Sequence, residues 1–376
     1  MGRLNDVIAD YAKNNPVRFH MPGHKGKPEY ALDYSLDVTE LYFTDNLYAP
    51  DPKINLIYDL EKRIAKCFFK DLDIASLISC GGATLCIQAA VLALAESKKQ
   101  AEYIVCDRAS HISFVNVISL LGLKPLWVLP GEDFADKLRI YTKTADIAGV
   151  FVTSPDYYGA MKDVARISAV CKQRSLSLIV DNSHGSHLAF YGGGRLHPIN
   201  LGADISIDSI HKTLPALTGA ALLHSNKSIG GIKRCMNVFA STSPSFLILQ
   251  SIEKTVDLLE TRGREEHARL IGDILAFRKK AGGLGFMFDT GKFYDPYRIA
   301  LNCGGAGEAL YCFLAGENIF CEFFTEDSVI LIPSISNGPE DFDKLLCALR
   351  GYARNNAILP AKPDGFIYPP GVPENL

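Results

Sequence analysis

A chain of 376 residues with 48% hydrophobic and 22% charged residues is long enough for two or more structural units and has the balance of a soluble enzyme. Its net charge of −3 gives no reason to expect nucleic acid or an anionic membrane as partner. The ten scattered cysteines form no Cys-x-x-Cys pair, the N-terminus has no apolar signal core, and no run approaches about 20 uncharged apolar residues, so the expectation is a cytoplasmic chain with reduced cysteines.

In chain order, a short amphipathic pattern over 4–11 precedes a glycine- and proline-punctuated arm, Phe19-His-Met-Pro-Gly-His-Lys-Gly-Lys-Pro28, which suits neither helix nor strand. Residues 55–69 read as a helix, with Leu56, Leu60, Ile64 and Cys67 at helical spacing. Short β-rich runs then alternate with helical ones. The strands are predicted over 74–78, 103–106, 126–129, 149–153, 176–180, 205–207 and 220–223, with helices over 85–95, 114–121 and 164–173. Continuous apolar strands alternating with helices predict an α/β fold whose mostly parallel seven-stranded sheet is covered on both faces. A long helical stretch over 246–281 follows, with a polar interruption at 262–266. After the Gly-rich break at 281–285 comes a smaller α+β unit, with strands near 298–301 and 329–332 and helices near 308–315 and 340–354. The expected division is an arm over 1–50, a large domain over 51–283, and a small domain with a proline-rich tail over 284–376.

Lys212 ends the run Ile205-Ser-Ile-Asp-Ser-Ile-His-Lys212, at the rim of a buried strand. A lysine there is costly to desolvate unless it is paired or used covalently, and burial depresses its pKa as a Schiff-base lysine requires. On its own it also fits a solvated loop residue. Upstream, Leu176-Ser-Leu-Ile-Val-Asp181 is an apolar strand that stops on a carboxylate. In open α/β sheets ligands collect at the carboxyl ends of strands. An imine-forming lysine and a carboxylate able to keep a pyridinium nitrogen protonated are the minimal pyridoxal phosphate (PLP) constellation.

Cys80-Gly-Gly-Ala-Thr-Leu85, between a strand and a helix, fits a phosphate cradle in which Thr84 adds a hydroxyl, and equally an ordinary turn. No Gly-Lys-[Ser/Thr] follows, which argues against a nucleotide triphosphatase. His111 is placed either to stack on an aromatic cofactor or as a loop histidine. His184 and His187, like His20 and His24, lack metal-site spacing and partners, so no metal is expected. There is no Gly-x-Ser-x-Gly elbow for a serine hydrolase.

Several of these segments resemble the Orn/Lys/Arg decarboxylase family, bacterial PLP enzymes of the aspartate-aminotransferase type I fold. The resemblance rests on Phe19-His-Met-Pro-Gly-His-Lys25, Asp37-Val-Thr-Glu-Leu41, Asp107-Arg-Ala-Ser-His111, Thr153-Ser-Pro-Asp-Tyr-Tyr-Gly159, Ser209-Ile-His-Lys-Thr-Leu-Pro-Ala-Leu-Thr218 and Ser241-Thr-Ser-Pro-Ser245. It covers roughly residues 15–350, in order. The resemblance implies that Lys212 forms the internal aldimine with pyridoxal 5'-phosphate and that Asp181 pairs with the pyridinium nitrogen. It also implies that His111 stacks on one ring face, Ser183 packs on the other and His184 lies near the ring hydroxyl. Thr84, the backbone at Ala83, and Ser209 would bind the phosphate with His211 beside it; Lys212 or His111 would reprotonate the α-carbon. The implied activity is decarboxylation of arginine, lysine or ornithine to a polyamine precursor, by a homodimer with active sites at its interface.

The chain departs from the family at several positions. The usual Asp-Glu-Ala-His-Gly-Ala-His reads Asp181-Asn-Ser-His-Gly-Ser-His187, and the phosphate loop has Gly82 and Ala83 where hydroxyls are usual. Gly219 replaces a larger residue, and the paired acidic residues read Asp45-Asn46. The family normally continues well past the motif at Tyr368-Pro-Pro-Gly-Val-Pro373, which implies a short form lacking most of the C-terminal domain. An aminotransferase or lyase of the same fold, and a degenerate regulatory homologue, are the alternative readings. Arg298 is the only plausible carboxylate-binding arginine of the small domain. Glu40, Asp45 and Glu322 are equal candidates to meet a cationic substrate side chain.

Overall fold

The computed structural model describes residues 16–27, 56–70, 72–226 and 229–356. The pattern at 4–11, Asp37–Asn46 with Glu40 and Asp45, and the tail at 368–376 lie outside the described residues.

A seven-stranded sheet forms the centre. Its strands are β2 (Ala75–Ser79), β3 (Tyr103–Asp107), β4 (Lys124–Val128), β5 (Ile147–Thr153), β6 (Leu178–Asp181), β7 (Ile205–Asp208) and β8 (Ala221–Ser225), in the spatial order β2-β8-β7-β6-β5-β3-β4. β8 runs antiparallel to both β2 and β7; the other neighbours are parallel. Every residue of β5, β6, β7 and β8 is buried, as expected for strands covered on both faces, whereas the edge strand β4 carries Pro125 and is only partly buried. The seven predicted strands all form, within one to two residues at most ends.

Two apolar layers sandwich the sheet. On one side α2 (Gly82–Ser97), α3 (Ile112–Leu120) and α7 (Ile232–Phe239) pack with Ile104, Phe151, Ile179 and Ile207. On the other, α4 (Phe134–Tyr141) and α5 (Val164–Gln173) pack with Val105, Val150, Val152 and Val180. Consecutive strand residues thus feed opposite cores. α4 and α7 are not apparent in the sequence pattern because each spans only eight residues.

A third core joins α1 (Leu56–Phe69), the helix α8 (Phe246–Gly282) and the C-terminal unit. That unit holds an antiparallel sheet ordered β12 (Phe323–Phe324), β13 (Ser328–Leu331), β10 (Ile299–Asn302), β9 (Met287–Phe288), covered by α9 (Gly307–Gly316) and α10 (Pro339–Asn355). α8 runs unbroken through 262–266, contrary to the expected interruption. There Gly263 and His267 face inward while Arg262, Arg264 and Glu265 are exposed, so the charged run marks a solvent face. The arm also differs from expectation: β1 (Val17–Phe19) pairs in parallel with β11 (Ile319–Cys321) of the C-terminal unit. Three residues are too few to show a period.

Candidate active site

Four strands of the sheet, β3, β5, β6 and β7, deliver most of the site residues at or just beyond their carboxyl ends, each parallel to the next. β3 ends on Asp107, whose buried carboxylate accepts from the Thr153 N–H at the end of β5 (2.9 Å) and from Ser110 Oγ (3.3 Å). Lys162 stands 3.5 Å away. That knot fixes the turn on which His111 N-caps α3, its Nδ1 accepting from the Ser113 N–H at 3.2 Å. His111 remains exposed; burial around its ring lowers its pKa, with Asp181 raising it and Lys212 lowering it.

β6 ends on Asp181. Its Oδ1 accepts from the Ser183 N–H (3.1 Å) and from Ser183 Oγ, so Ser183 is turned onto Asp181. Among the described residues no cation lies within ion-pair distance of this buried carboxylate. Three residues after Asp181, the half-buried His184 meets the Lys212 amine, Nε2 to Nζ 3.0 Å. Burial, then Lys212 and Arg298, holds His184 well below its ordinary pKa, so the neutral ring accepts from Lys212. Its Nδ1 is buried without a partner.

Lys212 lies in a one-turn helix, α6 (Ile210–Thr213), not on the strand rim itself. Buried Ile210, Thr213 and Leu214 anchor the turn, the Lys212 N–H donates to Ser209 O (3.1 Å), and the Gly23 N–H donates to His211 O (2.6 Å). Gly23 permits that approach, since an added Cβ would overlap the Leu214 carbonyl oxygen. Burial lowers the pKa of the Lys212 amine; Asp181 raises it, Arg298 lowers it and Glu322 raises it.

The 80–84 turn joins this assembly through its backbone: the Gly82 N–H donates to Gly219 O (2.8 Å), on the loop that follows Lys212. α2 begins there with Gly81 as an N-cap that makes no side-chain capping bond. Gly82 has φ +69° with open space where a Cβ would stand, and Thr84 is exposed in the first turn. An uncapped helix start of this kind offers N–H groups to an anion. Ala83 and Thr84 make no hydrogen bond to Lys212 or Asp181. Ser209 is buried with its hydroxyl off the helix cap, and His211 Nδ1 bonds Ala220 O (3.0 Å).

With this geometry in place, the likeness to known proteins can be stated. Residues 3–300 match the family described as Orn/Lys/Arg decarboxylase, major domain. The chain belongs to the Orn/Lys/Arg decarboxylase family. Among curated relatives, it is 25% identical to an arginine decarboxylase of Halalkalibacterium halodurans, covering 98% of this chain and 81% of that one. It is 26% identical to the Bacillus subtilis protein YaaO, covering 88% and 73%. In fold it is similar to the constitutive lysine decarboxylase of E. coli (TM-score 0.63, 18% identity, 79% of this chain and 51% of that one). It is also similar to a Burkholderia pseudomallei sphingosine-1-phosphate lyase (TM-score 0.72, 13% identity, 95% and 92%). The architecture is the type I fold of PLP enzymes. Among the described residues no helix is long and apolar enough to cross a membrane.

In this decarboxylase-family chain the structure places groups that sequence alone left open. Arg298 is buried at 1% exposure immediately before β10. Its Nε and Nη1 lack hydrogen-bond partners, Nη2 donates to His184 O at 3.5 Å, and the nearest carboxylate oxygen, on Asp295, is 3.9 Å from Nε. The readable signal was a cation opening an apolar strand. His187 pairs with Asp295 (2.8 Å), both buried. A second, unforeseen group is His197, Asp208 and His224, all fully buried at a spacing that could hold a metal ion. Its hydrogen bonds account for it differently. His197 Nδ1 accepts from the Ile199 N–H (3.3 Å), so Nε2 carries the proton and donates to Asp208 Oδ2 (3.0 Å), while Asn182 and Ser206 donate to Oδ1. Burial opposes ionisation of Asp208, but His197, His224 and Asn182 outweigh it and hold the carboxyl below the usual range.

Proposed function

We propose that this chain is a pyridoxal 5'-phosphate-dependent decarboxylase of arginine, lysine or ornithine, yielding a polyamine precursor. On this reading it works in the cytoplasm as a homodimer with active sites at the interface, and the division at about 50 and 283 separates the arm, the cofactor domain and the small domain. The observation that carries the reading is the half-buried Lys212, bonded to neutral His184 and electrostatically coupled to Asp181, Arg298 and Glu322.

The residues fit the cofactor. The open helix start at 81–84 suits a phosphate, with Ala83 and Thr84 as donors and Ser209 and His211 nearby. Among the described residues Asp181 is a buried carboxylate without a counterion, suited to a ring-nitrogen proton, and His184 Nδ1, buried without a partner there, suits a ring hydroxyl. Ser183 holds Asp181 in place, and exposed His111 is free to cover a ring face. When bound, PLP supplies the electron sink that takes up the electrons left as CO₂ departs. Lys212 provides the amine that anchors the cofactor, made nucleophilic by its lowered pKa. Arg298 orients the α-carboxylate, and Tyr157, packed edge-on against His184 at 5.3 Å, steadies that ring beside the amine. Lys212 or His111 then holds the proton delivered to the α-carbon.

Purified protein given PLP is expected to show a visible absorbance band, fixed to Lys212 by borohydride and mapped by mass spectrometry, and to release CO₂ from one of the three amino acids. Lys212→Ala should lose the band and the CO₂ release while still unfolding cooperatively. A wild-type protein without the band overturns the reading. Arg298, buried with Nη2 3.5 Å from His184 O, suits the α-carboxylate of an aminotransferase substrate as well, which supports that second reading. A keto acid produced without CO₂ would assign that reaction.

A further inference from the structure

Resting on the reading above, we propose that Lys162 is a positioning residue for the cofactor: by neutralising buried Asp107 it fixes the turn that carries His111, and so sets how that ring lies on PLP. An exposed imidazole covers a ring face only as firmly as its own backbone is held. The cap to the Ser113 N–H joins His111 to the first turn of α3; the tie to the sheet is Asp107. Ser110, the residue before His111, donates its hydroxyl to Asp107 O (2.8 Å), with Oδ1 at 3.3 Å, and its N–H to Asp107 O (3.3 Å). Oδ2 takes the Thr153 N–H at 2.9 Å and stands 3.5 Å from Lys162 Nζ.

Asp107 is 3% exposed, and a buried carboxylate left without a cation is driven toward its neutral acid. Burial raises the Asp107 pKa, and Lys162 is the largest of the influences that oppose it, ahead of the Thr153 and Ser110 donors. A neutral acid carries a proton on one oxygen, so it no longer accepts freely on both, and the turn loses one of its anchors. Lys162 is itself placed from elsewhere. Its N–H donates to Ser154 Oγ (3.0 Å), and the residues before it are laced to the C-terminal unit. There the Met161 N–H donates to Phe293 O (2.8 Å) and the Asp295 N–H to Gly159 O (2.8 Å). The ammonium thus joins a loop bound to the C-terminal unit to the turn that presents His111.

The test reads the visible circular dichroism of PLP-loaded protein, divided by its absorbance at the same wavelength, together with the Kd for PLP; neither involves turnover. Lys162→Met should reduce that ratio and weaken PLP binding roughly two- to tenfold, the size of one ring contact. Lys162→Arg, which keeps the charge, should hold both near wild type. In a His111→Asn background, Lys162→Met should change neither any further. Lys162→Gln carries the same expectation should Lys162→Met fail to fold. A Lys162→Met protein with a lower melting temperature but an unchanged ratio and Kd would reveal a merely structural tie and overturn the proposal, as would an equally large effect in the absence of His111. Wild type without the visible band sinks the PLP reading and this inference with it. A band-bearing wild type whose Lys162 variants show no change sinks this inference alone.

Discussion

At the end of β6, Asp181 meets Ser183, with His184 and Lys212 alongside; one strand over, at the end of β7, Asp208 meets His197, Asn182 and Ser206, with His224 Nε2 3.9 Å away. Both groups are built from an acid, imidazoles and small polar side chains. The β7 group is fully buried, walled by Phe68 and Phe69, and its carboxylate is hydrogen-bonded on both oxygens. The β6 group opens onto exposed His111 and half-buried Lys212, with unpartnered atoms on His184 and Arg298. Residue type does not separate a structural knot from a reactive site. Access does, since buried atoms without a partner among the described residues occur in both groups, Asn182 Oδ1 and His224 Nε2 in one and His184 Nδ1 and Arg298 Nε in the other.

Acid should strain the closed group most. His224 is held by burial at about 3 against an ordinary 6.5, with Asp208 raising it and His197 lowering it further. The unfolded chain therefore takes up more protons than the folded one between those values. Stability is full above pH 6.5 and is lost as pH falls toward 3, and melting temperatures across that window should drop steeply. In His224→Asn the slope should flatten. A slope unchanged by that substitution would break the contrast between the two groups.

Removing the central carboxylate comes next. Asp208→Ala leaves His197, Asn182 and Ser206 buried without their acceptor and should cost about 3–5 kcal/mol in urea unfolding. A loss below about 1 kcal/mol would mean that the β7 group does not hold the strand ends. The smallest effect on stability falls on the open side. Arg298→Met should lower kcat/KM roughly 10- to 100-fold, since charge-assisted bonds contribute about 1.5–3 kcal/mol. It should leave urea stability unchanged or slightly raised, because a buried, poorly paired guanidinium is exchanged for an apolar chain. A destabilised Arg298→Met would place Arg298 with the structural knot instead.

The sheet was legible because fully buried strands leave continuous apolar runs between glycine and polar punctuation, so 149–153 and 205–207 announced themselves. Lys212, Asp181 and His111 were legible because each sits where such a run stops. Arg298 was only half visible: its type was evident but its burial was not, since burial arises from packing of the C-terminal unit against residues more than a hundred positions earlier. The His197, Asp208 and His224 group was invisible for the same reason, because no local spacing brings a loop and two strands together. The course of α8 was misread because charge at 262–266 looks alike in a break and on an exposed helical face.

The pairing of β1 with β11 sets an order of events in the making of this protein. Val17, Arg18 and Phe19 leave the ribosome well before the central sheet, yet the strand they bind, Ile319–Cys321, is among the last described elements to be synthesised. The same arm supplies Gly23 to the Lys212 turn and Met21 to Glu322. Until β11 has been synthesised, the central sheet can form but the Lys212 turn lacks part of its support. A nascent chain should therefore own the central sheet before the arm is docked, so that the Lys212 amine is held in its final setting only after β11 has emerged.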